Sequence, residues 1–188
     1  MECIGNLEEL KVVVEKCEKC KLCQTRRNVV FGEGNVESKI MFVGEGPGEN
    51  EDIQGRPFVG LAGKLLDKML GVIDLSRETN IYITNIVKCR PPKNRDPESD
   101  EQEACIDYLN QQIKLINPKI IIALGRVAAK ILIDPNFKVT MQHGQWFLKN
   151  GIYLMGTYHP AALLRFPSNK ETAFQDFLQI REKLKDIN

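Results

Sequence analysis

The sequence predicts a three-layer α/β/α domain around a mainly parallel β-sheet. Three observations carry the prediction. Short apolar runs alternate with amphipathic stretches, the pattern of strands that cross over through helices. No internal repeat or low-complexity segment interrupts them. The unusual loop residues fall just after the runs, at 44–58, 85–95 and 157–165, and ligands bind such sheets beyond the carboxyl ends of the strands.

Each element has its own signal. Leu7, Leu10, Val13 and Val14 follow Asn6 at helical spacing and predict a capped helix over 6–16. Lys39 to Val43 is a short apolar run ending in Gly44-Glu-Gly-Pro-Gly48, a buried strand entering a tight loop. Residues 61–73 form the next amphipathic helix, and the β-branched run 80–87 a second strand. A Pro-rich basic loop then leads into a helix from about Glu98 to Ile116. Lys119 to Leu124 is the plainest buried strand, with a helix over 126–132 after it. Residues 146–155 predict a hairpin turning at Asn150-Gly151, and a terminal helix covers about 170–185.

At 188 residues with 43% hydrophobic content, the chain has room for one core, so residues 1–188 are expected to form a single domain. Lys and Arg total 26 against 25 Asp and Glu, a formal net charge of +1. That balance excludes a uniformly basic coat and an acidic disordered tail. No apolar run approaches the roughly 18 residues of a membrane span. The first residues lack a basic segment followed by an apolar one, so a soluble, cytoplasmic protein is expected. Nothing demands more than a monomer.

The two histidines, His143 and His159, are too few for a multi-histidine metal centre. The six cysteines stand at 3, 17, 20, 23, 89 and 105. In a reducing interior such thiols bind metal or stay free. Two thiolates of Cys17-x2-Cys20-x2-Cys23 can converge on one metal or cluster, with Cys89 and Cys105 completing four ligands. Buried free thiols are the plainer alternative. Spacing alone separates neither Cys20 from Cys23 as partner to Cys17, nor zinc from iron–sulfur.

With these loops and cysteines in view, the sequence closely resembles the iron–sulfur uracil-DNA glycosylases known as family 4. The likeness runs through Cys17-x2-Cys20-x-Leu22-x2-Thr25-Arg26, Val30-Phe-Gly-Glu-Gly34, Gly44-Glu-Gly-Pro-Gly-Glu-Asn-Glu-Asp52 and Gly55-Arg-Pro-Phe-Val-Gly60. It continues through Thr84-Asn-Ile-Val-Lys-Cys-Arg-Pro-Pro92 and ends with Tyr158-His-Pro-Ala-Ala-Leu-Leu-Arg165. The resemblance implies a central, mainly parallel four-stranded sheet and a [4Fe–4S] cluster on Cys17, Cys20, Cys89 and Cys105. Cys3 and Cys23 are then non-ligands. It also implies uracil-containing DNA, single- or double-stranded, as the partner.

Excision of uracil needs a flipped base, a recognition pocket and stabilisation of a uracil anion leaving a cationic sugar. The resemblance implies that Phe58 stacks on the base, a contact worth roughly 1–3 kcal/mol that tolerates any flat ring. Asn85 ends an apolar strand, where an amide is costly unless used. It can accept from uracil N3–H and donate to O4, whereas cytosine presents the opposite pattern, a mismatch that rejects analogues by roughly 10⁴-fold. The resemblance gives His159 a hydrogen bond to uracil O2, worth about 3–4 kcal/mol from a preorganised donor. Gly44 and Gly46 of the glycine loop complete the substrate-binding set.

In the better-known uracil glycosylases this loop carries a water-orienting Asp after a Gln; here Gly46 and Glu45 hold those positions. A dissociative path asks less of a base, and Glu45 and Glu51 are the residues read as stabilising the sugar cation or placing the water. The Tyr that blocks the thymine methyl is replaced by Gly48. Leu163, four residues after His159, is expected to wedge into the stack, with Arg165 meeting a phosphate. Residues 119–165 hold six Lys or Arg and one acid, and 88–95 hold Lys88, Arg90, Lys93 and Arg95 with no acid, a local basic face. The glycine loop lacks Gly-x-Gly-x-x-Gly spacing, so a dinucleotide site is rejected. A non-catalytic iron–sulfur or zinc DNA-binding module is the alternative.

Overall fold

A computed structural model describes residues 5–187, which leaves Cys3 outside the described residues. Helix α1 (Leu7–Glu15) opens the order. It is followed by β1 (Glu33–Gly34), β2 (Ile40–Gly44), α2 (Glu49–Gln54), α3 (Leu61–Val72) and β3 (Tyr82–Asn85). Then come α4 (Ser99–Ile116), β4 (Ile120–Leu124), α5 (Arg126–Leu132), α6 (Val139–Gln142), β5 (Trp146–Lys149), β6 (Ile152–Thr157), α7 (Pro160–Arg165) and α8 (Lys170–Asp186). The strands form one six-stranded sheet ordered β1-β3-β2-β4-β6-β5. Its four inner strands are parallel, and β1 and β5 pair antiparallel at the edges. The parallel four-stranded core matches the expectation, and the two edge strands extend it.

Burial on both faces explains the continuous apolar runs. Every residue of β2 and β4 is buried. Met41, Val43, Ile121 and Ala123 pack with α1, α4 and α5 residues such as Leu10, Tyr108 and Ala128. Their neighbours Ile40, Phe42, Ile122 and Leu124 pack on the opposite layer with Leu66 and Leu70 of α3 and Phe177 and Ile180 of α8. Each fully buried side chain of this size contributes about 1.5–3 kcal/mol. Covered faces are the ordinary condition of parallel strands.

Local chemistry sets the boundaries. Asn6 caps α1 by accepting from Glu9 N at 2.9 Å. Glu98 and Glu101 form a reciprocal capping box on α4, and Asn117 closes that helix at φ 52°. The hairpin turns at Asn150 (φ 51°) and Gly151 (φ 79°), positive dihedrals that match strand twist. The strand read over 80–87 narrows to Tyr82–Asn85, and helices α2 and α7 lie inside segments read as loops. Helix α2 is Glu-Asn-Glu-Asp-Ile-Gln, too polar to show an apolar stripe, and is closed by Gly55 at φ 68°. Edge strand β1 is two residues long, below what periodicity resolves. Among the described residues no helix is long and apolar enough to cross a membrane.

Candidate active site

Because β2 connects toward β3 on one side while β4 connects toward β6 on the other, the strand order reverses between β2 and β4. Doubly wound sheets open a crevice at such a point. Here a cleft of about 750 Å³ lies beyond the strand carboxyl ends, walled in part by Glu45, Phe58, Asn85, Asp96, His159 and Arg165. Gly46 and Glu51 also line it. Gly44 is the register partner of Asn85 on the adjacent strand. The structure thus gathers residues scattered over some 120 positions of sequence into one hollow.

Asn85 is 1% exposed, and its Oδ1 has no hydrogen-bond partner. An unpaired buried acceptor costs about 1–3 kcal/mol, so a ligand donor would relieve a standing penalty. A Cβ on Gly44 would come within 2.5 Å of Phe58 Cζ and closer still to Asn85 Oδ1. Glycine is required there because the Asn85 amide and the Phe58 ring close over the backbone.

Phe58 is held in an unusual backbone state, with φ 53°. Arg77, itself nearly buried, donates to Pro57 O at 2.7 Å and Phe58 O at 2.9 Å. Gly63 permits this approach, since a Cβ there would overlap the Phe58 carbonyl. Glu51 Oε1 accepts from Val59 N and Gly60 N, both at 2.8 Å, and so pins the segment after Phe58 onto α2. The Phe58 and His159 rings stand 5.8 Å apart, tilted by 32°.

His159 Nδ1 accepts from Ala161 N at 3.1 Å and caps α7. A ring nitrogen that accepts carries no proton, so Nε2 carries it and is the donor. Burial, with help from Arg165, pulls the His159 pKa down to about 4, and Glu51 opposes weakly. The imidazole is a neutral, oriented N–H donor. Gly125 (φ 90°) gives it room, because a Cβ there would sit 2.8 Å from His159 Cβ.

Burial pushes the Glu45 carboxyl up to about 7, and neighbouring Asp96 adds to the rise while Arg126 and Arg165 oppose it. Asp96 pairs with Arg126. Neither Asp96 nor Arg126 was singled out as a site residue from sequence, although both border strand-end loops. The Arg95-Asp96-Pro97 step was the available signal for the first.

Two expectations are corrected. Leu163 is fully buried, so it cannot enter a base stack as it stands. The start of α7 packs toward α3, and the exposed apolar side chains of this segment are Leu164 (41%) and Phe166 (60%). Lys88 does not belong to a basic face: it is buried, with Nζ donating to Thr84 Oγ1, Asn85 O and Gln112 Oε1, each at 2.7 Å. Arg90, Arg95 and Arg126 pair with Glu49, Glu101 and Asp96, which thins the positive surface further.

A second cavity, on the α1/α4 side, is lined by Cys17, Cys20, Cys23, Cys89 and Cys105, with Arg26 and Tyr108. Three N–H groups point at its sulfurs: Arg26 Nη1 to Cys89 (3.4 Å), Lys88 N to Cys105 (3.3 Å) and Lys19 N to Cys17 (3.5 Å). Burial pushes the Cys89 thiol up to about 11, with Arg26 opposing. Among the described residues no three His, Cys, Asp or Glu side chains form a single-ion metal group.

The uracil DNA glycosylase superfamily model matches residues 31–185. The chain is similar to the type-4 uracil-DNA glycosylase of Saccharolobus solfataricus, 48% identical over 190 residues, covering 96% of this chain and 88% of the relative. It is similar to that of Sulfurisphaera tokodaii, 49% identical, covering 95% of this chain and 85% of the relative. The type-4 enzyme of Archaeoglobus fulgidus is 43% identical, with 94% of this chain and 92% of the relative covered.

Proposed function

The chain belongs to the uracil DNA glycosylase superfamily, and from that premise we propose how its strand-end cleft receives and excises a flipped uracil. The protein is a monofunctional uracil-DNA glycosylase of DNA repair: it hydrolyses the N-glycosidic bond and leaves free uracil and an abasic site. The observation that carries the reading of the pocket is the orphaned Asn85 Oδ1, a buried acceptor waiting for a donor. Uracil N3–H supplies one. Cytosine N3 is itself an acceptor and would leave two lone pairs facing each other.

Phe58 covers one face of the base, held by Arg77 and Glu51. His159 Nε2–H donates to O2 as the C1′–N1 bond breaks and its electron pair moves onto the uracil ring. A fixed neutral donor suits this task, since it needs no reorganisation as charge develops. Glu45, ionised, faces the oxocarbenium-like sugar. Water adds at C1′ and its proton passes to Glu45 or to solvent. Glu51 has one oxygen committed to two backbone amides, so its part is to place the Phe58 segment and not to accept that proton. Among the described residues no lysine lines the cleft, which agrees with hydrolysis over Schiff-base chemistry.

The thiol cavity supports an iron–sulfur reading. Cys17, Cys20, Cys89 and Cys105 line one cavity together with Cys23, and Cys17, Cys89 and Cys105 are met by N–H donors from Lys19, Arg26 and Lys88. The Cys89 and Cys105 thiols, held protonated by burial when alone, would become ligands once a cationic centre lay among them. A [4Fe–4S] cluster held there would staple the segment after α1 to the loop after β3 and to α4. DNA approaches the mouth of the cleft past Leu164, Arg165 and Phe166, the protein acting as a monomer on uracil-containing strands.

The test is incubation with a uracil-containing oligonucleotide, then alkali and a sizing gel, beside a visible absorption scan. Strand breaks only after alkali are expected. Asn85→Asp should lower uracil excision and admit cytosine. Unchanged base selectivity in that variant removes the recognition argument.

A further inference from the structure

Lys88 is a buried cation whose three acceptors are all neutral. Burying an ammonium without a carboxylate is unfavourable, so its place needs a reason. The geometry supplies one. Lys88 Nζ holds Asn85 O at 2.7 Å, and Gly44 O accepts from Ile86 N at 2.9 Å. The Asn85–Ile86 peptide is therefore pinned at both its carbonyl and its N–H. The other two acceptors extend the clamp: Thr84 Oγ1 donates to Phe31 O at 2.9 Å, and Gln112 Nε2 donates to the same carbonyl at 2.9 Å. The lysine's own backbone joins the thiol cavity, its N–H going to Cys105 Sγ at 3.3 Å and its carbonyl accepting from Val30 N at 2.8 Å.

Building on the uracil-site reading, we propose that Lys88 is a positioning residue that holds the Asn85 backbone so that the side-chain amide presents an unpaired acceptor to the base. A buried acceptor without a partner tends to relax toward any nearby donor. A main chain fixed on both sides resists that relaxation. The same residue touches both the base pocket and the thiol cavity, through its Nζ to Asn85 O and its backbone N–H to Cys105 Sγ.

The experiment compares Lys88→Met with Ile122→Ala, a core control on β4 away from the cleft, at equal iron content by visible absorption. Affinity for free uracil is measured by calorimetry, with thermal melting alongside. Lys88→Met should bind free uracil roughly ten- to a hundredfold more weakly, the range for losing a hydrogen bond to a charged group. The control should lose thermal stability while binding uracil as the wild type does. Wild-type uracil affinity in Lys88→Met overturns the assignment. If that variant does not fold, Gln112→Leu decides: it removes one acceptor and should show a smaller loss in the same direction, and an unchanged affinity again overturns it. A wild-type protein that neither binds nor excises uracil would instead sink the uracil-site reading itself.

Discussion

The pH dependence of excision separates the two titrating groups of the cleft. Glu45 has its carboxyl raised to about 7 by burial and then by Asp96, whereas His159 is lowered to about 4 by burial and then by Arg165. If ionised Glu45 stabilises the sugar cation, single-turnover excision should rise with pH and level off above about 7. At pH 5 only about 1% of that carboxyl is ionised, so the rate should lie about 100-fold below the plateau. His159, with its pKa near 4, is neutral above about pH 5 and adds no limb near 7. Glu45→Gln should flatten the profile near its low-pH value, and Asp96→Asn should move the limb to lower pH. Stability gives an independent check. The His159 value lies below the usual 6.5, so the unfolded chain binds the extra proton between about 4 and 6.5, and folding weakens as pH falls through that window. The full effect is up to about 3 kcal/mol, less for the part of the ring that meets water. Glu45 has the opposite sign, because the folded state keeps its proton up to about 7 and loses stability as pH rises toward that value. The two offset each other in the wild type, so Glu45→Gln should be more acid-labile between pH 6.5 and 4.5. The assay is single-turnover cleavage of a uracil oligonucleotide at saturating enzyme from pH 4.5 to 8.5, with thermal melts at each pH. A Glu45→Gln profile that keeps the limb near 7 refutes the assignment.

Three further outcomes follow from packing. Gly44→Ala places a methyl against the buried Phe58 and Asn85 side chains, and should cost about 1–3 kcal/mol of stability by overpacking and lower excision by the folded protein at least 100-fold by gel assay. Leu163→Ala empties a fully buried site and should destabilise by about 2–5 kcal/mol in denaturant titration. Its folded fraction should keep wild-type excision, whereas Phe166→Ala should leave stability unchanged and weaken binding of uracil-containing DNA. Arg77→Met removes donors to the Pro57 and Phe58 carbonyls and to Glu33 and Asp67; it should cost about 2–4 kcal/mol of stability and raise KM more than it lowers kcat.

Local patterns reach a defined distance in this protein. Continuous apolar runs at 40–43 and 120–124 mark inner parallel strands because burial on both faces demands apolar side chains at every position. Asn6, Asn150 and Gly151 read directly as cap and turn, since their conformations depend on nearest neighbours. Asn85 and His159 are legible as polar residues at strand ends, and Cys17, Cys20 and Cys23 as closely spaced thiols, because those signals are local too. The tertiary structure decided the rest. Leu163 and Leu164 are adjacent leucines, and only the packing of α7 determines that the first is core and the second faces water. Lys88 reads as part of a basic loop, yet its direction is set by acceptors on β3 and by a glutamine 24 positions away on α4. The Glu45 carboxyl owes its raised pKa to burial and to Asp96, against the opposing pull of Arg126 and Arg165, groups that only the fold brings together. Side-chain direction and electrostatic environment are long-range properties of the packed layers. Which residue types stand at the strand ends was written in the sequence; which way they face, and with what charge, was settled by folding.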